Sequence, residues 1–167
     1  MNMDKLWAND LGVPREKIFR GDIDQRIEAL RNVDDIDPRI FSLYTAWKAE
    51  YGELIGSIWS LGFSTVSGLS ILEQDFFADK HGQSISLQDL DAWSEASKFK
   101  AFYKVLESMG MVMIEEGVIR FTQRCEEFMK FRALCQLIKI LHAQVFDGGD
   151  VAPLSQDQVA LLEPELV

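Results

Sequence analysis

Between Ser84 and Phe121 the chain switches from extended to helical and back to extended character, and that succession constrains the fold more than any other stretch. Ser84-Ile85-Ser86-Leu87 reads as a short extended segment, and Gln88–Trp93 as a compact helix with Leu87, Leu90 and Trp93 inward. Ser94–Ala96 supplies a turn and Ser97–Met109 a second helix, which Gly110 stops. Met111-Val112-Met113-Ile114 has strand character. Glu115-Glu116-Gly117 makes a tight hairpin, since glycine supplies the positive φ such turns need, and Val118-Ile119-Arg120-Phe121 returns as the paired strand.

Helix, turn, helix and a two-stranded wing is the order of a winged helix-turn-helix. The predicted fold class is therefore mainly α with a small β-wing, the winged helix-turn-helix (84–121) being flanked by long helices. Upstream, Ile23, Ile27 and Leu30 predict a helix near Asp22–Asn32, capped by Asp22 or Asp24. Asp37-Pro38 breaks the chain, and Pro38 opens a helix to Leu61 whose seam is Ile40, Tyr44, Trp47, Tyr51, Leu54 and Ile58. Gly62 ends it, and Ser64 or Thr65 starts another through Ala78. Thr122 begins a helix to about Val145 that is apolar around much of its circumference, so it is buried on several sides. The last residues, with Gly148-Gly149, Pro153 and Pro164, read as a loosely held tail. Three regions follow: an N-terminal extension with one helix (1–37), a helical domain with the winged motif (38–146), and an acidic, flexible tail (147–167).

Charge bears directly on what such a motif binds. The net charge is −10, from 17 basic and 27 acidic residues, and half of the excess lies in residues 147–167. The central body is close to neutral, unlike the broad basic surface common on nucleic-acid binders. Apolar residues at 47% and charged residues at 26% fit a globular chain. With no run of roughly 18 uncharged apolar residues and no apolar signal core, the sequence points to a cytoplasmic protein without a membrane segment. Cys125 and Cys135, if on one helix, stand about 15 Å apart, beyond disulfide reach, and read as buried thiols rather than a redox pair bridging subunits.

On the second helix of the motif, Phe99, Phe102, Tyr103 and Leu106 fall on one side. Ser97, Ala101, Lys104 and Ser108 then face outward, with Lys98 and Lys100 on the shoulders. Lysine suits phosphate or guanine, serine either, and alanine a thymine methyl, so this face suits a major groove. Arg120 and Arg124 flank the wing as backbone contacts. Three lysines on a helix are by themselves ordinary solvation; the surrounding motif favours nucleic acid.

From Leu61 to Glu127 the chain resembles the MarR-type bacterial regulators. The matching residues are Gly62-Phe63-Ser64 with Ile71-Leu72, Ser86-Leu87-Gln88-Asp89-Leu90, Leu106-Glu107-Ser108-Met109-Gly110-Met111-Val112, and Phe121-Thr122-Gln123-Arg124. The resemblance implies a homodimer built on the flanking helices, here through Tyr44, Trp47, Tyr51, Phe131, Leu134, Ile138 and Leu141. It also allows a small-molecule effector, with Tyr44, Trp47, Tyr51 and Trp59 as a pocket, although core or interface packing explains those aromatics better. One departure stands out: that family's wing usually carries an arginine for the minor groove, whereas this tip is Glu115-Glu116-Gly117.

Enzyme chemistry has no support. There is no Gly-rich phosphate loop, no CxxC and no HExxH, and His81 and His142 lack partners at ligand spacing. Asp34, Asp35 and Asp37 read as a solvated loop rather than a cation site. No metal or cofactor is expected. The function expected is a DNA-binding transcriptional regulator, homodimeric on double-stranded DNA, with residues 97–109 in the major groove. The alternative is a winged-helix protein-interaction module, an acidic adaptor or phage- or plasmid-type protein that docks on a basic partner and leaves DNA alone.

Overall fold

The computed structural model describes residues 22–60, 68–88, 96–146 and 151–166. Within these, six helices and a small antiparallel sheet make the chain mainly helical. Contacts group residues 1–57 with 130–167 as one unit and residues 58–129 as a second. Both boundaries between these units, at 57/58 and 129/130, fall inside helices.

The first unit is helical. Helix α1 (Asp22–Leu30) buries the stripe of Ile23, Ile27 and Leu30. Helix α2 (Pro38–Ser60) begins at the proline, whose missing N–H and fixed φ suit a first helical position. Asp37 caps it: its Oδ1 accepts the Arg39 backbone N–H at 2.9 Å, and the Arg39 guanidinium pairs with the same carboxylate at 2.7 Å. The Arg39 guanidinium bond, and after it the Arg39 backbone bond, hold the Asp37 carboxyl below its ordinary range. Asp24, expected as a possible cap of α1, instead turns its carboxylate to α2, where Tyr44 and Lys48 donate to it.

Two further elements complete this unit. Helix α5 (Gln123–Phe146) contributes Phe131, Ala133, Leu134 and Ile138 to its core. Helix α6 (Gln156–Leu166) corrects the expectation of a loose tail. Ser155 and Gln158 form a reciprocal capping box, with Oγ accepting the Gln158 N–H at 3.1 Å and Oε1 accepting the Ser155 N–H at 3.0 Å. Leu161 and Leu162 are buried, Lys130 reaches Glu165 at 2.8 Å, and Gln136 donates to the Ala152 carbonyl at 2.7 Å. Apolar burial outweighs the proline, which sits in the last turn at Pro164.

The second unit combines helices and sheet. Helix α3 (Gly68–Lys80) buries Leu69, Ile71, Leu72 and Phe76. Strand β1 (Ile85–Ser86) follows, then helix α4 (Ala96–Ser108), β2 (Val112–Glu115) and β3 (Val118–Phe121). The sheet order is β1-β3-β2, all antiparallel. Glu115 opposes Val118, so the hairpin turns on two residues, Glu116 and Gly117, both with positive φ (53° and 81°). This is the handed turn that matches strand twist, and glycine at its second position removes half of the steric cost.

Between α4 and β2, Gly110 takes φ 76° while the Met111 N–H bonds the Leu106 carbonyl at 3.0 Å, the backbone reversal that satisfies a helix end. Thr122 links hairpin to α5: its hydroxyl donates to the Gly110 carbonyl at 2.6 Å and accepts the Cys125 N–H at 3.3 Å. The expected helix Gln88–Trp93, the turn at Ser94–Ala96 and the Gly62-Phe63-Ser64 motif fall wholly or mainly outside the described residues.

Candidate nucleic-acid interface

Helix α4 is amphipathic because its aromatic residues recur at helical spacing. Phe99, Phe102, Tyr103 and Leu106 are buried, and in the same unit the Phe76 and Phe121 rings meet edge to face at 5.8 Å. Tyr103 is fully buried, and its hydroxyl donates to Asp75 on α3. Burial, then the Asp75 charge, pushes the Tyr103 phenol far above its ordinary range. Asp75 is itself raised by burial, and the Tyr103 bond opposes that shift. The pair fixes the roll of α4 against α3, and thereby which side chains face solvent.

Those that do are Ala101, Lys104, Glu107 and Ser108, with Lys100 half-exposed. Ser108 spends its hydroxyl proton on the Val105 carbonyl at 2.6 Å, so toward a ligand it is an acceptor. The Ser97 and Lys98 side chains lie outside the described residues. Arg120 stands exposed on the outer face of the hairpin, opposite Met113, with its guanidinium 3.5 Å from the Glu115 carboxylate. Arg124, in the first turn of α5, is half-buried, its Cδ 3.6 Å from where a Cβ on Gly110 would stand. Ala101, Lys104 and Ser108 thus share one exposed helix face. Arg120 is offered separately on the hairpin, and Arg124 packs its stem against the α4–β2 turn.

Electrostatics temper this surface. Residues 58–129 hold eleven acids and six bases, so the unit carries a negative balance despite its exposed lysine face. Glu115 pairs loosely with the exposed Arg120 near the hairpin tip, and Glu107 sits one turn from Lys104. Any attraction for phosphate is local to α4.

Most of the residues expected to form a dimer interface are already buried within the chain. Tyr44, Tyr51, Phe131, Leu134 and Ile138 are buried by their own chain, with the Tyr44 and Phe131 rings 6.1 Å apart, while Trp47 and Leu141 are half-buried. They lie in the first unit. Helical periodicity shows that a face is covered without saying which chain covers it.

The first unit holds an open groove of about 610 Å³ between α1 and α2, lined by Asp24, Arg31, Tyr44, Lys48 and Gly52 among others. Of the described residues in the expected aromatic cluster, Tyr44 is the one that reaches it.

Cys125 and Cys135 lie on the one helix α5 as free thiols. Burial pushes the Cys125 thiol up strongly and Cys135 up to about 12, which leaves both poor nucleophiles. The His142 ring stacks at a tilt on Phe146, 4.8 Å between centroids. Among the described residues no three metal-ligating side chains converge, and no helix is long and apolar enough to cross a membrane. No family model, curated protein or solved structure matches this chain.

Proposed function

We propose that residues 68–121 form a winged helix that binds double-stranded DNA through α4, and that the chain acts as a transcriptional regulator. The observation that carries this reading is the sheet order β1-β3-β2, in which a strand preceding α4 completes the hairpin that follows it. This arrangement leaves a helix with a buried aromatic side and an exposed side bearing Ala101, Lys104 and Ser108. Such a helix fits a major groove, Lys104 meeting phosphate or a guanine edge and Ala101 a thymine methyl. A pair of copies on a palindromic site would place two such helices roughly 34–36 Å apart. The stoichiometry of a DNA complex by light scattering reads that directly.

The test is the double substitution Lys100→Ala and Lys104→Ala. Removing two phosphate-directed cations reduces the slope of log affinity against log salt by about 2 and weakens binding on all sequences. Unchanged affinity and slope contradict the placement of α4.

The acid excess of residues 58–129 favours a second reading, a winged helix that docks on a basic protein. Nuclease-insensitive co-purification with a basic partner, by a chain that ignores DNA, selects it.

A further inference from the structure

The hairpin register exposes one polar feature beside α4. The Thr122 N–H bonds the Met111 carbonyl at 3.2 Å, so in an antiparallel ladder the pairs Met113–Arg120 and Glu115–Val118 are the hydrogen-bonded ones. The amides of Val112 and Ile114 then point away from β3. Strand β2 is the edge of the sheet, so these groups face outward, where unpaired edge amides invite pairing with another strand. The Ile114 N–H is met there by Glu107, which reaches across from α4 and accepts it on Oε2 at 3.1 Å. The Glu107 carbonyl also accepts the Gly110 N–H at 3.0 Å, so one residue holds both the end of α4 and the edge of the hairpin.

Resting on the DNA-binding reading, we infer that Glu107 is a positioning residue: it clamps the hairpin to α4 and so sets the angle at which helix and hairpin meet a duplex. Its charge works against its position. Glu107 is exposed and stands one turn along α4 from Lys104, so its negative charge opposes phosphate near that face. On this reading the acid is placed on α4 by the acceptor it supplies to the sheet edge.

The two roles separate by substitution. Glu107→Gln keeps an acceptor and removes the charge, whereas Glu107→Ala removes both. The experiment compares both variants with the wild-type chain by Ile114 amide exchange in NMR and by affinity for duplex DNA. A net hydrogen bond of ordinary strength corresponds to about 2- to 10-fold, so Ile114 exchanges that much faster in Glu107→Ala and near the wild-type rate in Glu107→Gln. On DNA, Glu107→Gln binds more tightly than wild type, and Glu107→Ala more weakly than Glu107→Gln. Equal tightening by both variants means that Glu107 acts through charge alone and overturns the inference. Equal Ile114 exchange in both overturns it too. If the wild-type chain and both variants ignore DNA, the DNA reading fails and the positioning role with it; unequal exchange then leaves Glu107 a structural edge cap.

Discussion

Each unit of the molecule contains a tyrosine that donates to an aspartate on a neighbouring helix, and the two pairs differ in what else reaches the carboxylate. In the first unit Asp24 accepts from Tyr44 on one oxygen and from Lys48 on the other at 2.6 Å, at the rim of an open groove. Lys48 also lies 5.9 Å from the centre of the Tyr44 ring, and Gly52 one turn on leaves its stem room, since a Cβ there would stand 3.2 Å from the Lys48 Cγ. In the second unit Asp75 has Tyr103 as its donor, and burial lifts its pKa. The same pair of side chains is thus charge-balanced in one place and a half-buried anion in the other. A lysine beside a carboxylate compensates its charge, whereas Asp75, with a phenol as its donor among the described residues, carries a desolvation penalty when ionised.

The largest expected effect of breaking this comparison is at Tyr103. Tyr103→Phe leaves Asp75 without its donor and lowers stability by about 1–3 kcal/mol at neutral pH, read by urea denaturation. Tyr44→Phe removes the matching hydroxyl but leaves Lys48 on Asp24, and lowers stability by about 0.5–1.5 kcal/mol. Equal losses would mean that the lysine contributes nothing to the distinction.

The next effect is one of pH. Because the folded-state pKa of Asp75 is raised, its contribution is most favourable below the unfolded value, near 3.8, and is lost as pH rises through the folded value. Asp75→Asn keeps an acceptor for Tyr103 and cannot ionise. Relative to wild type it gains stability at pH 7, and the gain shrinks toward pH 3. A gain that does not vary with pH would show that Asp75 does not titrate differently in the fold.

Lys48→Met is the smallest change, because the ion pair is more than a third exposed: about 0–1 kcal/mol, shrinking as salt is added.

The sequence was legible where a local rule decides the structure. Pro38 after Asp37 marked the start of α2, Gly110 the end of α4, and Glu116-Gly117 the hairpin. Each depends on backbone chemistry within a few residues. Ser84–Leu87 was readable as extended, but its pairing with β3 was not, since Ile85 meets Ile119 across the intervening helix. Helix α6 was missed because Pro153, Pro164 and the acidic composition outweighed the Ser155-to-Gln158 capping signal and Leu161-Leu162, which together mark an amphipathic start. The tyrosine–aspartate pairs lie too far apart in sequence for any periodicity to join them. Of the candidate interface, Ala101, Lys104 and Ser108 were readable from helical phase. The second role of Glu107 was not, because it depends on the direction of an edge amide that only the strand register defines.

The most direct test of the central claim, that α4 meets DNA, is fluorescence anisotropy of the full chain with labelled duplexes at low and moderate salt. Binding at low salt that weakens steeply as salt rises is the predicted result, because released counterions set that slope. No binding at low salt by a folded chain would contradict the claim and turn the exposed face of α4 toward a protein partner.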